Sequence, residues 1–214
     1  MPTTLTFYTN PMSRGRVARW MLEEVGEPYE TVLLDYGTTM KGADYLAINP
    51  MGKVPAIRHG ETIVTECAAI CAYLADAFPA AKLAPPNGDP RRGPYYRWMF
   101  FAAGPVESAV TNKALEVAFA DEKKAFVGYG SFDETIDALE RAISAAPYVA
   151  GNRFSAADVY VGSQIGWGLM FGSMDKRPAF VDYVGRLQSR PAAIRARELD
   201  DAIIAEQKAR EPAE

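Results

Sequence analysis

The chain has 214 residues, 49% hydrophobic and 23% charged, with a formal net charge of −4 and no long run of one sign. That composition suits a globular protein with room for two small cores. It argues against nucleic acid as the main partner, because phosphate neutralisation needs a basic face, and against the membrane, because no apolar run approaches the ~20 residues that span a bilayer.

The opening Met1-Pro2-Thr3-Thr4-Leu5 has neither the basic segment nor the apolar core of a secretory signal, which points to the cytoplasm. Leu5-Thr6-Phe7-Tyr8 reads as a buried strand. Residues 14–25 carry Val17, Trp20, Met21 and Val25 at helical spacing, and Gly26 ends that helix. A second strand is predicted over 29–34 and a short helix over 42–48, stopped by Asn49-Pro50. The segment Asn49-Pro50-Met51-Gly52-Lys53-Val54-Pro55 then runs into a strand, Ala56–His59. A Gly60-Glu61 turn, a short strand over 62–64 and a helix over 67–78 complete a βαβ then ββα order. This is the split arrangement of a thioredoxin-like domain, predicted over residues 1–80.

Residues 79–90 hold four prolines, a glycine and an Asn-Gly pair, and read as a loop, with 81–90 as the linker. Beyond it no strand is predicted. A long helical stretch covers 91–120, with a kink expected at Gly104-Pro105 where a backbone bond is lost. Ile136, Leu139, Ala142 and Ile143 give a clean helical spacing over 132–146, and helices over 155–171, 178–189 and 191–209 follow. Residues 91–214 are therefore expected to form an all-α domain. Ser155 and Asp158 stand three apart ahead of an apolar run, a capping box with Asp in place of Glu.

Cys67 and Cys71 share one helix face, and spacing of four rarely forms a disulfide. No further ligand pair suggests a metal. The single histidine, His59, ends a strand without the spacing of a nucleophile elbow around it.

The most informative residues are Val54-Pro55 and Glu66-Cys67. Pro55 cannot donate to a sheet ladder, so it belongs at the first residue of a strand or at an edge, and a cis peptide is cheap there. A cis Val54-Pro55 bond would turn the Val54 N–H and C=O outward, where an extended peptide could pair with them. Glu66 opens a helix, where a carboxylate sits well in the positive end of the dipole. With these in order, followed by a linker and the Gly151-x-x-x-Ser155-x-x-Asp158 helix start, the chain resembles the glutathione transferase family over essentially its whole length.

That resemblance implies an α/β thioredoxin-like N-terminal domain followed by an all-α C-terminal domain, with glutathione as cosubstrate and no metal. It implies that Val54 and Pro55 clamp the cysteinyl backbone of glutathione, and that Glu66 and the Cys67 N–H hold its γ-glutamyl end. A thiol at 67 is a weaker donor than the family's usual serine. Lys41 and Lys53 are candidates for the glycine carboxylate. The reactive segment after the first strand reads Tyr8-Thr9-Asn10-Pro11-Met12-Ser13-Arg14-Gly15-Arg16. A redox enzyme would show Cys-x-x-Cys, whereas here the two positions are Asn10 and Ser13, so the thiol would arrive on glutathione and be held as thiolate by a donor. Ser13 is the first candidate for that donor, with Asn10, through its amide or as scaffold of the turn, and Tyr8 as the alternatives. The electrophile would lie between the domains, among Met12, Tyr96, Phe100, Phe101, Trp167, Met170 and Phe171. The implied activity is conjugation of glutathione to a soft electrophile by a homodimer. The alternatives are peroxidase, disulfide-reductase, ether-cleaving, dehalogenating or isomerase use of glutathione, or a non-catalytic glutathione-binding protein.

Overall fold

The computed structural model describes residues 4–210. Met1-Pro2-Thr3, on which the targeting expectation partly rests, and residues 211–214 lie outside the described residues. Among the described residues no helix is long and apolar enough to cross a membrane. The contacts divide the chain into two compact units: residues up to Ala81 together with those from Arg190 on, and Lys82–Ser189.

The first unit is built on a four-stranded sheet of order β2-β1-β3-β4. Its strands are β1 (Leu5–Thr9), β2 (Glu30–Leu33), β3 (Ala56–His59) and β4 (Thr62–Thr65). β1 alternates buried and half-buried residues, as a strand with one face on the core must. It pairs in parallel with β2 and antiparallel with β3, which pairs antiparallel with β4 through the Gly60-Glu61 turn. The helices are α1 (Gly15–Val25), the single turn α2 (Ala43–Leu46) and α3 (Cys67–Ala77). α1 buries Val17, Ala18, Trp20, Met21 and Leu22. It stops at Gly26, whose φ of 77° lets its N–H reach back to the Leu22 carbonyl at 3.0 Å. The helix predicted over 42–48 is shorter than expected and is preceded by a 3₁₀ turn, Thr39–Lys41.

Helix α9 (Pro191–Arg210) belongs with this unit, where it packs along α1. Arg190 grips Glu24 at 2.6 and 2.7 Å, Arg195 reaches Glu23 at 2.6 Å, and Arg16 pairs with Asp201. Beneath these lies a buried pair, Arg19 to Asp200 at 3.1 Å, with side chains 3% and 1% exposed. Element type alone groups residues 91–214 as one helical domain; packing against α1 places α9 with the first unit instead.

The second unit contains α4 (Arg92–Phe101), α5 (Glu107–Ala114), α6 (Phe132–Ala145), α7 (Ala156–Phe171) and α8 (Pro178–Gln188). Between α4 and α5 the chain runs as a π-helical turn, Ala102–Val106, around Pro105. Proline has no N–H to give the ordinary ladder, and the widened turn absorbs the defect, so the expected kink takes this form. The helical stretch predicted to reach 120 ends instead at Ala114. The N–H groups of Leu115 and Val117 fold back onto the carbonyls of Thr111 and Asn112, and Glu116 takes a φ of 55°. Leu115 and Val117 are exposed, so no packed apolar face draws the helix onward. One isolated bridge, Tyr148 to Gly151, is a short extended pairing that the reading without strands beyond residue 90 did not anticipate.

That bridge closes the loop in front of α7, where the expected capping box forms around a fully buried Asp158. Its carboxylate accepts from the Ser155 N–H (2.9 Å) and hydroxyl (3.0 Å), the Val149 N–H (2.8 Å) and the Tyr183 hydroxyl (2.7 Å). Burial pushes its acidity down and these four donors pull the other way, the burial being the larger effect. The residue therefore joins the 149 loop, the start of α7 and α8.

Two stability predictions follow from the cores. Asp158→Ala leaves its four donors without their acceptor, each buried group left unpaired costing about 1–3 kcal/mol, so urea unfolding at neutral pH should show a loss of several kcal/mol. Tyr45, 3% exposed, is held as a phenol up to about 12, chiefly because burial disfavours its phenolate. A raised folded value means the contribution is complete below pH 10 and drains away as the pH climbs toward 12. Tyr45→Phe should lower stability at pH 8 by about 1 kcal/mol, the loss of one hydrogen bond. Denaturant titrations between pH 10 and 12 should then show a shallower decline than in the wild type.

Candidate glutathione site

The register of the sheet gathers segments far apart in sequence onto one edge, the one formed by strand ends and not by an outer strand. Tyr8 near the end of β1 lies opposite Ala56 at the start of β3, and Ala56 lies opposite Thr65 at the end of β4. Neighbouring strands are about 4.8 Å apart, so Asn10, Pro55 and Glu66, each just beyond these paired residues, emerge side by side. Parallel pairing of Thr9 with Leu33 brings the end of β2 to the same edge.

At this edge the Val54-Pro55 peptide is cis, as the sequence suggested. Among the described residues the Val54 N–H and C=O have no backbone partner, which leaves both for an added strand. The preceding loop is fixed by contacts on the Lys53 carbonyl, which accepts from the Tyr45 hydroxyl at 2.6 Å and the Asn49 amide at 2.7 Å. Tyr45 sits in a small core with Leu34, Met40 and Ala56, against which Tyr8, Ile48 and Val54 pack. Tyr45 and Asn49 are supports that the sequence reading missed. A buried aromatic in a single helical turn ahead of Asn-Pro was the available signal.

Glu66 precedes α3 with φ 66° and ψ 121°, a conformation that costs a non-glycine residue about 1–3 kcal/mol. Its carbonyl accepts the Ile70 N–H at 2.8 Å while its side chain stays exposed. Glu66 thus stands at the N-terminus of an eleven-residue helix, where the first N–H groups have no partner within the helix. Cys67 is buried, and its thiol donates to the Arg14 carbonyl at 3.5 Å, toward the start of α1 and not toward solvent. The thiol is therefore turned inward. Cys71 is fully buried, and burial followed by the nearby Cys67 keeps it protonated. His59 pairs with the Tyr73 hydroxyl at 2.9 Å, a strand-end contact.

The turn between β1 and α1 is tightly bonded. Asn10 is 7% exposed; its Nδ2 donates to the Leu34 carbonyl at 2.8 Å and its Oδ1 accepts the Met12 N–H at 2.9 Å. The half-buried Ser13 hydroxyl donates to the Asn10 carbonyl at 2.6 Å and accepts the Gly15 N–H at 2.9 Å. Gly15 is required here, since a Cβ would come within 1.9 Å of the buried Thr9 Oγ1. Tyr8 is half-buried and its ring packs on Tyr45, 5.7 Å between centroids. Arg16 donates to the Pro11 carbonyl at 2.7 Å, so its charge braces the turn.

Of the two lysines, Lys41 is committed: its ammonium donates to the carbonyls of Met51 and Gly52 at 3.0 and 2.8 Å. Gly52, with φ 55°, leaves room for it. Lys53 is exposed beside Val54. Within the first unit Met12 is 70% exposed at the turn. In the second unit the other apolar candidates lie on α4 and α7, which pack together. Phe100, Met170 and Phe171 are exposed, and Tyr96, Phe101 and Trp167 are half-buried. The core of that helix pair is made by Tyr95, Trp98, Met99 and Ile165 instead.

Comparison with known proteins agrees with this geometry. Residues 12–77 match the family model described as the glutathione S-transferase N-terminal domain. The chain is 28% identical over 192 residues to the glutathione S-transferase GstA of Escherichia coli O157:H7, covering 86% of this chain and 90% of that protein. A glutathione transferase structure from Methylococcus capsulatus superposes with a TM-score of 0.76 at 29% identity, over 93% of this chain and all of that one. A sphingomonad glutathione S-transferase complexed with glutathione gives 0.75 at 30% identity, over 92% and 98% of the two chains. With a thioredoxin-like sheet, a cis Val-Pro at its edge and this likeness across nearly the full length, the chain belongs to the glutathione S-transferase family.

Proposed function

We propose that this protein binds glutathione at the sheet edge and conjugates its thiolate to a soft, hydrophobic electrophile. The observation that carries the reading is the convergence, at one edge, of the Val54 backbone, which has no backbone partner among the described residues, of Glu66 at the start of α3, and of the Ser13 turn. The named likeness to a transferase complexed with glutathione supports the same ligand.

In this reading Val54 pairs with the cysteinyl backbone of glutathione as an added strand, Pro55 holding the loop in place. Glu66 takes the γ-glutamyl ammonium and the Cys67 N–H its carboxylate, at the positive end of the α3 dipole. Lys53 is the better candidate for the glycine carboxylate, because the Lys41 ammonium already serves two loop carbonyls. Ser13 turns its hydroxyl to the sulfur and favours the thiolate, and the α1 N-terminus adds to that field. Glutathione supplies the nucleophile: the thiol proton leaves to solvent, a carbon–sulfur bond forms, and the leaving group departs with its electron pair. Orientation of the two reactants adds to the lowered thiol pKa.

The protein would act as a homodimer through α3 and α4, whose alanine and aromatic content suits a two-fold interface. Sedimentation at micromolar concentration should therefore give about twice the 23.4 kDa chain mass; a single-chain mass would remove the dimer from the reading. Glu66→Ala should weaken glutathione binding by about 1.5–3 kcal/mol in calorimetry, the worth of a charged hydrogen bond. Equal affinity in the two proteins would displace Glu66 from the γ-glutamyl site. In a panel of aryl halides, hydroperoxides and small disulfides, the conjugation reading expects turnover with the aryl halides. Turnover confined to hydroperoxides or disulfides would replace it with peroxidase or reductase chemistry.

A further inference from the structure

The contacts of the β1–α1 turn give Asn10 a part of its own. Both ends of its carboxamide are tied, Nδ2 to the Leu34 carbonyl at 2.8 Å and Oδ1 to the Met12 N–H at 2.9 Å. A side chain held at both ends cannot swing toward a ligand without leaving a buried carbonyl and an amide unpaired, a cost of the order that keeps such groups in place. Its main-chain carbonyl meanwhile accepts the Ser13 hydroxyl at 2.6 Å and the Ser13 N–H at 3.1 Å.

On the other side the Ser13 oxygen accepts the Gly15 N–H at 2.9 Å. That bond comes from the first residue of α1 and does not depend on where the hydroxyl proton points. Accepting an N–H polarises the hydroxyl and strengthens it as a donor. When the proton leaves the Asn10 carbonyl, that carbonyl keeps the Ser13 N–H and has the Thr9 hydroxyl at 3.4 Å. The change therefore exposes no bare acceptor. Ser13 can exchange one acceptor for another without movement of the turn.

We propose that Asn10 is a positioning residue for the thiol donor. It holds the turn so that the Ser13 hydroxyl rests on the Asn10 carbonyl in the free protein and passes to the glutathione sulfur by rotation about Cβ–Oγ alone. This rests on the assignment of Ser13 as the donor. Asn10 acts through Ser13 and makes no bond to sulfur.

A double-mutant cycle tests the two assignments separately. The ultraviolet thiolate band of the saturated glutathione complex is titrated in the wild type, Asn10→Ala, Ser13→Ala and the double variant. Ser13→Ala should move the midpoint up by about one pH unit, the effect of losing a bond to the charged form. Asn10→Ala should move it up by less, and the double variant should titrate with Ser13→Ala alone. Additive shifts would make Asn10 an independent donor and overturn the positioning role, as would an Asn10→Ala titration that matches the wild type. A wild-type midpoint in Ser13→Ala would remove Ser13 as donor, and an accompanying shift in Asn10→Ala would transfer the role to Asn10. If Asn10→Ala does not fold, Asn10→Asp retains an acceptor for the Met12 N–H. Its added charge raises the midpoint in both backgrounds and cancels in the cycle, so a residual coupling supports the role and zero coupling overturns it.

Discussion

The first unit is organised around a buried cation. The Arg19 guanidinium, 3% exposed, donates to Asp200 on α9, to the Tyr29 hydroxyl and to the Thr31 hydroxyl, each at 3.1 Å. It also lies over the rings of Phe7 and Tyr29, at 5.0 and 5.7 Å. One side chain thus joins α1 to β1, to β2 with the residue before it, and to α9. Removing a partner from a buried ion pair strands a charge in the interior, which costs more than the pair itself contributes. The neighbours carry the same imprint. Burial lifts Asp200 above the ordinary carboxylate range against the pull of Arg19, and Tyr29 is pushed up to about 12 by burial and by its bond to Glu23. The β1–α1 turn at the sheet edge is the N-terminal continuation of the helix this cluster anchors.

With α1 held there, the rest of the edge is a matter of sheet register. The antiparallel hairpin β3–β4 and the parallel strand β2 all present one end beside the end of β1. Loops that would be unrelated on an extended chain therefore share one surface, as happens wherever a rigid sheet carries binding groups on its connections. Part of the hydrogen-bonding capacity at this edge is spent internally. Lys41 closes the Gly52 loop, Tyr45 and Asn49 hold Lys53, and Asn10 ties β1 to the end of β2. Among the described residues the Val54 backbone keeps no backbone partner, and the side chains of Glu66 and Lys53 are exposed. That remainder carries one acidic and one basic side chain beside a main-chain donor and acceptor, the complement of the extended peptide proposed above, which is charged at both ends.

The second unit shows how a polar residue can stabilise a helical core. Asp158 is 0% exposed, and its four donors come from the 149 loop, the α7 cap and α8. Only the Ser155 share of that network is local. The Tyr183 and Val149 bonds complete the solvation that burial removes. The π turn at Pro105 is handled differently: the helix widens by one residue and continues.

Local chemistry was legible in the sequence. A Val-Pro pair entering a strand, a Gly-Glu turn, an acidic residue opening a helix and a Ser-x-x-Asp cap each act within a few residues of themselves, so their outcome depends little on the rest of the chain. Apolar spacing likewise located the helices, except past Ala114, where the apolar residues found nothing to pack against. Tertiary structure alone decided the rest. The Asn10 amide meets a carbonyl 24 residues away, the Cys67 thiol turns inward to the Arg14 carbonyl, and α9 returns to the sheet unit through a pair spanning 181 residues. A side chain's inventory of donors and charges is written in the residue. The partner that uses them is chosen by which surfaces folding brings within 3 Å, and no local pattern encodes that distance.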